Sequence, residues 1–333
     1  MATYNPKYTV AIIATKTSTK YNVTGAVLRL ILQEKDGEIA QRVTLSLANV
    51  KVDGQYLSDI IDTKDRVFVY ANDGERNEEV FRGFIWDLGD RKKQGKELSY
   101  TCYDNLIYFQ ESEEYQYFSA GYSTKSICST ICSKWGVNLS YTYSSITHPK
   151  LPLRGTLSDI FMSDLLDEVK KKTGKKYVMR SIQDDVHIDG VGQNTQIYKL
   201  YSGKDGNVTE TNREKTMQGM VTKVIILGKE DDDERASIEA TVKGDTDTYG
   251  TLQKILNSSS GTSLAEAKEE ANELIKEKGK PKETFYVEAV DIPWIRKGDK
   301  VEIAAGGLSG YFIVISTEHS VNDKSMSLEV EKA

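Results

Sequence analysis

A chain of 333 residues is long enough for two or three domains, and although only 38% of its residues are hydrophobic against 28% charged, the apolar positions recur periodically, so a folded protein is expected. A net charge of −6, a calculated pI near 5.4 and the absence of a basic block argue against nucleic acid as a primary ligand. Cys102, Cys128 and Cys132 make no disulfide framework, the N-terminus has no signal-peptide pattern, and no stretch approaches the ~20 apolar residues of a membrane span, so the expectation is cytoplasmic synthesis without membrane insertion.

The first hundred residues read as all-β. Val10–Ala14 has the length of one short strand. Leu28, Leu30 and Leu32 alternate, Lys35-Asp36-Gly37-Glu38 turns the chain, and Val43, Leu45 and Leu47 alternate again, which predicts a hairpin. Val67 and Val69 mark another strand. Glu79–Leu88 and Glu97–Tyr103 flank the polar segment Gly89–Lys96 as a second hairpin, and strands so spaced suggest a small barrel or sandwich.

The middle is mixed. Ser123 or Thr124 can cap a helix whose Ile127, Ile131 and Trp135 recur every four residues before Gly136 stops it. A second helix is expected after Ser158, with Phe161, Leu165, Leu166 and Val169 on one face. Lys170-Lys171-Lys172 sits at the negative end of its dipole, before Gly174. Tyr177–Ser181 and Val186–Asp189 read as strands around Gln183-Asp184-Asp185. Val221–Leu227 and Ala236–Val242 then flank the acidic run Glu230–Glu234. Ser263-Leu264-Ala265-Glu266 is a capping-box pattern opening a helix over about 263–278, with Ala267, Ala271, Leu274 and Ile275 on one face. Strands resume at Thr284–Ala289, Lys300–Ala304, Tyr311–Thr317 and Ser325–Val330. Nineteen tyrosines against five prolines suit half-buried strand faces and interfaces.

Motifs of catalysis are absent. His148, His187 and His319 lie at no metal-ligand spacing, and neither a His-Glu-x-x-His nor a Cys-x-x-Cys pattern occurs, so no metal or cofactor is expected. Cys128 and Cys132, four apart on a helix, could hold a soft metal but are better read as small hydrophobes at the edge of a buried face. The Glu230–Glu234 run lacks the ligand order of a calcium loop, and a solvated hairpin tip explains it. Gly306-Gly307-Leu308-Ser309-Gly310 lacks the Lys-Ser/Thr of a phosphate loop and fits a hairpin turn. Paired carboxylates for glycoside hydrolysis are hardest to exclude, with Asp87 and Asp104 as the apolar-flanked candidates. Aromatic residues cluster over Tyr100–Phe109 and Tyr115–Tyr122. An intersubunit face there would be anchored by Tyr115 and Tyr117, and Trp86 and Trp294 are candidate anchors at strand ends, with ordinary core packing as the alternative.

Four stretches together carry a resemblance. They are Phe81-Arg82-Gly83-Phe84-Ile85 leading to Tyr100–Asp104, and the helix Leu157–Lys175 closing on Thr173-Gly174-Lys175-Lys176-Tyr177. Thr246–Gly250 continues through the Ala-rich helix to Gly279-Lys280-Pro281, and Ile295–Val301 continues through Gly310–Val314 and His319 to Met326-Ser327-Leu328. In this order, over nearly the whole length, the chain resembles the XkdQ/YqbQ-type prophage proteins, related to the baseplate hub of contractile-tailed phages. The resemblance implies an α+β, mainly β fold: two tail-tube-like β-barrels, 1–105 and 195–333, around an inserted α/β domain, 106–194. It implies a structural protein of a phage tail or tail-like particle, a homotrimeric ring adapting a six-fold tail tube to a three-fold spike, with the tube protein, the central spike and other baseplate proteins as partners. It transfers no catalytic residue. A peptidoglycan hydrolase and a carbohydrate- or receptor-binding tail module are the competing readings.

Overall fold

The computed structural model describes residues 5–91, 97–142, 145–230, 236–257 and 263–333. The chain divides into two compact units, one made of Met1–Asn212 with Tyr286–Ala333, the other of Arg213–Phe285. No helix among the described residues is long and apolar enough to cross a membrane.

In the larger unit, β1 (Lys7–Ala14), β2 (Thr19–Asn22), β3 (Val27–Glu34) and β4 (Arg42–Ala48) are followed by the small ribbon β5 (Lys51–Val52) and β6 (Gln55–Tyr56) and the single turn α1 (Leu57–Ile60). The strands β7 (Arg66–Asn72), β8 (Asn77–Arg91) and β9 (Glu97–Tyr103) complete the first part. These strands join in the order β3-β4-β9-β8-β7-β1-β2. Both expected hairpins form, β3 with β4 and β8 with β9. Strict alternation along β9 buries Leu98, Tyr100 and Cys102. Leu28 departs from the pattern. The β3–β4 register shifts between Val27 and Arg29, and the bulge turns Leu28 outward, 50% exposed, while Val27 packs on the core. Leu30, Leu32, Val43, Leu45 and Leu47 remain inside.

Next come α2 (Ile107–Glu111), β10 (Glu113–Phe118), α3 (Thr124–Lys134), β11 (Leu139–Tyr141) and β12 (Leu151–Thr156). The Ser123 Oγ caps α3 by accepting the Ser126 N–H at 3.1 Å. The second helix begins two residues earlier than expected, because Thr156 rather than Ser158 caps it, its Oγ1 accepting the Asp159 N–H at 3.1 Å. It runs as α4 (Leu157–Asp159), a π-helical stretch Ile160–Leu166 and α5 (Asp167–Thr173), ending at Gly174. The wider π turn lets Ile160, Phe161, Leu165 and Leu166 all be buried. They form a second core with Ile127, Ile131 and both helix cysteines. A three-stranded sheet, β11-β14-β13, closes this region, with β13 at Tyr177–Ile182 and β14 at Asp185–Gly190. Among the described residues, β10 and β12 pair only with each other.

The chain then forms β15 (Lys199–Tyr201) and β16 (Val208–Thr216) and leaves for the smaller unit. There β17 (Lys223–Glu230) is flanked by antiparallel β18 (Ala236–Lys243) and parallel β19 (Gln253–Asn257), with the short α6 (Thr246–Tyr249) between them. The helix α7 (Leu264–Lys278) opens with the expected capping box, Ser263 with Glu266, and lays Ala267 and Ala271 on Val224 and Ile226. Glu230–Glu234 falls outside the described residues from Asp231 onward.

On return come β20 (Lys282–Val290), β21 (Lys300–Ala305), β22 (Leu308–Ser320) and β23 (Ser325–Lys332). Gly306 and Gly307 form the expected turn of the β21–β22 hairpin. Along one edge, β22 pairs first with β21, through residues 308–313. It then bends at an irregularity between Val314 and Ser316 and pairs with β3, Thr317 opposite Glu34 through Ser320 opposite Ile31. This switch joins β16-β20-β23-β22 to the first group of strands in one 13-stranded sheet.

Candidate functional site: a buried charged seam and the exposed tyrosines

Where β3 meets β22, the sequence places charge inside the fold. The Glu34 carboxylate is held by both arms of the Arg296 guanidinium, Nε at 3.0 Å and Nη2 at 2.8 Å, and by the Lys297 backbone N–H at 3.2 Å. Burial alone would raise the Glu34 pKa. The Arg296 charge and hydrogen bonds, with Arg180 and Lys297 behind them, reverse this and hold it at about 2. Arg180 donates to the Lys297 carbonyl and to Asp299 Oδ1, both at 2.6 Å, while Asp299 Oδ2 accepts the Arg296 N–H at 2.9 Å. Lys297 Nζ donates to the carbonyls of Lys35 and Glu38.

Two further buried groups flank this pair. Asp104 accepts the backbone N–H groups of Gln41 at 3.1 Å and Leu106 at 3.0 Å, yet burial outweighs them and pushes its pKa up to about 7. His319, on β22, has Nδ1 at 2.7 Å from Asp291 Oδ1 and Nε2 at 3.0 Å from the Ile295 carbonyl. Facing a carboxylate and a carbonyl, the protonated ring donates from both nitrogens. Burial works against this, but the Asp291 carboxylate and the Ile295 carbonyl raise its pKa. Tyr8 donates its hydroxyl to the other Asp291 oxygen, tying β1 to the same cluster. Arg180 Nε is buried without a hydrogen-bond partner, but the bidentate Glu34–Arg296 pair is of the kind that favours one orientation and register.

The two apolar-flanked carboxylates lie in unlike surroundings. Asp87 is exposed, and both Asp104 oxygens are occupied by backbone donors. A cleft of about 490 Å³ carries Glu78 and Glu79. Arg82 grips Glu79 at 2.8 and 2.9 Å, and Arg76 holds Glu78 at 2.7 Å. His148 is buried against the Thr124 hydroxyl at 2.8 Å, and burial lowers its pKa. The three cysteines are free and buried, which raises their pKa values. Among the described residues no three His, Cys, Asp or Glu side chains converge as a metal site.

The four candidate interface residues lie in different settings. Trp86 is half-buried, edge-on to Tyr103 and Tyr108 at the margin of the second core. Trp294 is half-buried against the first core, with the Arg76 guanidinium 4.4 Å from its ring centroid. Tyr115 and Tyr117 share the outer face of β10, 67% and 52% exposed. Across the ribbon they stand opposite Arg154 and Pro152 of β12, both exposed, while Phe118 and Leu153 point into the second core. Tyrosine and arginine side by side on an open strand face have the composition of an interface hot spot. The seam residues were not singled out from the sequence as a cluster, since Glu34 and Arg296 are 262 positions apart.

The fold is that of phage tail proteins. A tail protein from Neisseria meningitidis MC58 matches with a TM-score of 0.71 at 12% identity, over 98% of this chain and 96% of that one. The 43 kDa tail protein of prophage MuSo2 from Shewanella oneidensis matches with a TM-score of 0.70 at 15% identity, over 98% of each. An E. coli type VI secretion component, described as structurally similar to the T4 bacteriophage tail proteins gp27 and gp5, matches with a TM-score of 0.55 at 9% identity, over 92% of this chain and 74% of that one. No curated protein matches in sequence. The YQBQ-like family model matches residues 32–331, and the chain belongs to that family.

Proposed function

We propose that this chain is a structural, non-enzymatic hub of a phage tail or tail-like particle, a ring component between the tail tube and the central spike. The observation that carries the reading is end-to-end agreement in fold with two tail proteins, with nearly all of each chain covered. The sheet supports it. Two groups of strands, residues 7–103 and 199–332, meet edge to edge at the β3–β22 seam, and the buried ion pair holds them in one register. Read as tube-like modules, 1–105 and 195–333 around the insertion 106–194, three copies would supply six modules to a six-fold tube and three-fold symmetry to a spike. Such a ring needs a heterologous contact that closes. Tyr115 and Tyr117, beside Arg154, are the exposed side chains suited to it, with Trp86 and Trp294 as further anchors. The tail tube, the spike and other baseplate proteins are the expected partners.

Deletion of the coding sequence, complemented in trans, tests this reading. The expected outcome is loss of complete tails, restored by the intact chain. Complete tails assembled without it would contradict the hub assignment, and cell-wall clearing by the purified chain would favour a hydrolase.

A further inference from the structure

A second cavity, of about 510 Å³, lies within the larger unit, between the segments 174–177 and 190–193 and the start of β21, the middle of β22 and the end of β23. Its floor includes Tyr177, Val191 and Ile313, and its rim carries Lys175, Lys176, Lys300 and Lys332. Lys176 is paired with Glu331 at 3.1 Å. Four ammonium groups thus face two carboxylates, those of Glu331 and the Ala333 terminus, and Lys300 Nζ also lies 5.9 Å from the Tyr311 ring centroid. Cations gathered over low-dielectric walls focus a positive potential into the space between them. In a chain of net charge −6 this local excess runs against the overall balance.

One wall of the cavity is packed through glycine. Gly192 adopts φ +72°, and a Cβ there would stand 2.8 Å from Ile313 Cδ1, so only glycine lets the loop lie against β22. Gly298, at φ +89°, makes the same close approach to Val178, 2.8 Å from its Cγ1. The Gly192 N–H donates to the Gly298 carbonyl at 2.8 Å, locking the two glycine turns together.

We propose that this cavity is a docking site for an acidic peptide segment of a partner protein, with side-chain carboxylates received by Lys175, Lys300 and Lys332 and an interspersed aliphatic side chain seated on Tyr177 and Ile313. A short peptide fits better than nucleic acid. The site is a concave pocket with an apolar floor, too small for a duplex and without the aromatic stacking platform of a single-strand site, and lysines rather than arginine forks line it. The site does not depend on the ring described above and would operate in a single copy.

Fluorescence anisotropy on the full chain tests it, with a labelled peptide of alternating glutamate and leucine, a lysine–leucine counterpart and a single-stranded oligothymidylate. The acidic peptide is expected to bind, to weaken as salt is raised, and to lose about tenfold or more in affinity in the double variant K300E/K332E. The control K20E/K125E should bind as the parent does. Acetylation of Lys175, Lys300 and Lys332 in the unaltered chain should slow when the peptide is present, a readout that survives if the variant fails to fold. Binding no stronger than that of the lysine peptide, unchanged acetylation, or equal binding of the oligonucleotide would overturn the proposal.

Discussion

The seam and the β10–β12 ribbon treat polar and aromatic side chains in opposite ways. At the seam, Glu34, Arg296, Arg180, Asp299, His319 and Asp291 are withdrawn from water, and each is given a partner within the chain. On the ribbon, Tyr115 and Tyr117 offer two large rings to solvent. A buried, matched charge cluster contributes orientation more than net stability, since desolvation offsets most of the attraction. An exposed aromatic face contributes nothing to the isolated fold and becomes useful when something covers it. The first region therefore lies where two groups of strands are joined, and the second is the face proposed above to meet another molecule.

The largest expected effect comes from breaking the seam on one side. Arg296→Met leaves Glu34 buried without its bidentate ion-pair partner and should destabilise the chain by about 3 kcal/mol in urea unfolding. The double variant Glu34→Leu/Arg296→Met should recover most of that loss. If the double variant were as unstable as the single one, the pair would be a stability element rather than a register device. Leu45→Ala, in the first core, calibrates the scale at about 3 kcal/mol for lost packing alone.

The seam also sets a pH profile. Glu34 has its pKa lowered from 4.5 to about 2, so its contribution is present above pH 4.5 and is lost as pH falls through 2. Asp104 is raised from 3.8 to about 7, so holding it buried becomes progressively unfavourable as pH climbs from 3.8 through 7. The pKa of His319 is raised above 6.5, and its contribution, complete below that value, is lost on further alkalinisation. Stability should therefore crest near pH 4.5 and decline on both sides. A melting temperature that rises steadily from pH 5 to 9 would contradict the seam's protonation pattern.

The ribbon predicts the reverse of the seam. Tyr115→Ser/Tyr117→Ser should move stability by no more than about 0.5 kcal/mol, yet abolish incorporation into tails in the complementation assay. A loss of stability instead would mark the tyrosines as packing residues. At the small end, Lys16→Ala removes an exposed pair with Asp62 and should leave the urea midpoint unchanged.

Much of the sheet was legible because period-two alternation and turn residues are local signals, as in Leu30–Leu32 against Val43–Leu47 and in Leu98–Tyr100–Cys102. The α7 capping box was equally plain. Where prediction failed, backbone irregularity was the cause. A one-residue bulge reversed Leu28, and the π stretch Ile160–Leu166 has no distinctive residue code. The seam was hidden for another reason: Glu34 and Arg296 are ordinary charged residues until the β3–β22 pairing brings them together, and that pairing lies across more than 250 positions. Tyr115 and Tyr117 stood out as aromatic clustering, whereas the cross-strand Arg154 beside Tyr115 needed the register to be known.

The most direct measurement is a high-resolution electron-microscopic reconstruction of the tail particle that contains this chain. The account predicts its density between tube and spike, in three copies, with the two groups of strands from each copy facing the tube and Tyr115 and Tyr117 covered by a neighbour. Density at a fibre tip, or a single copy with the ribbon bare to solvent, would contradict it.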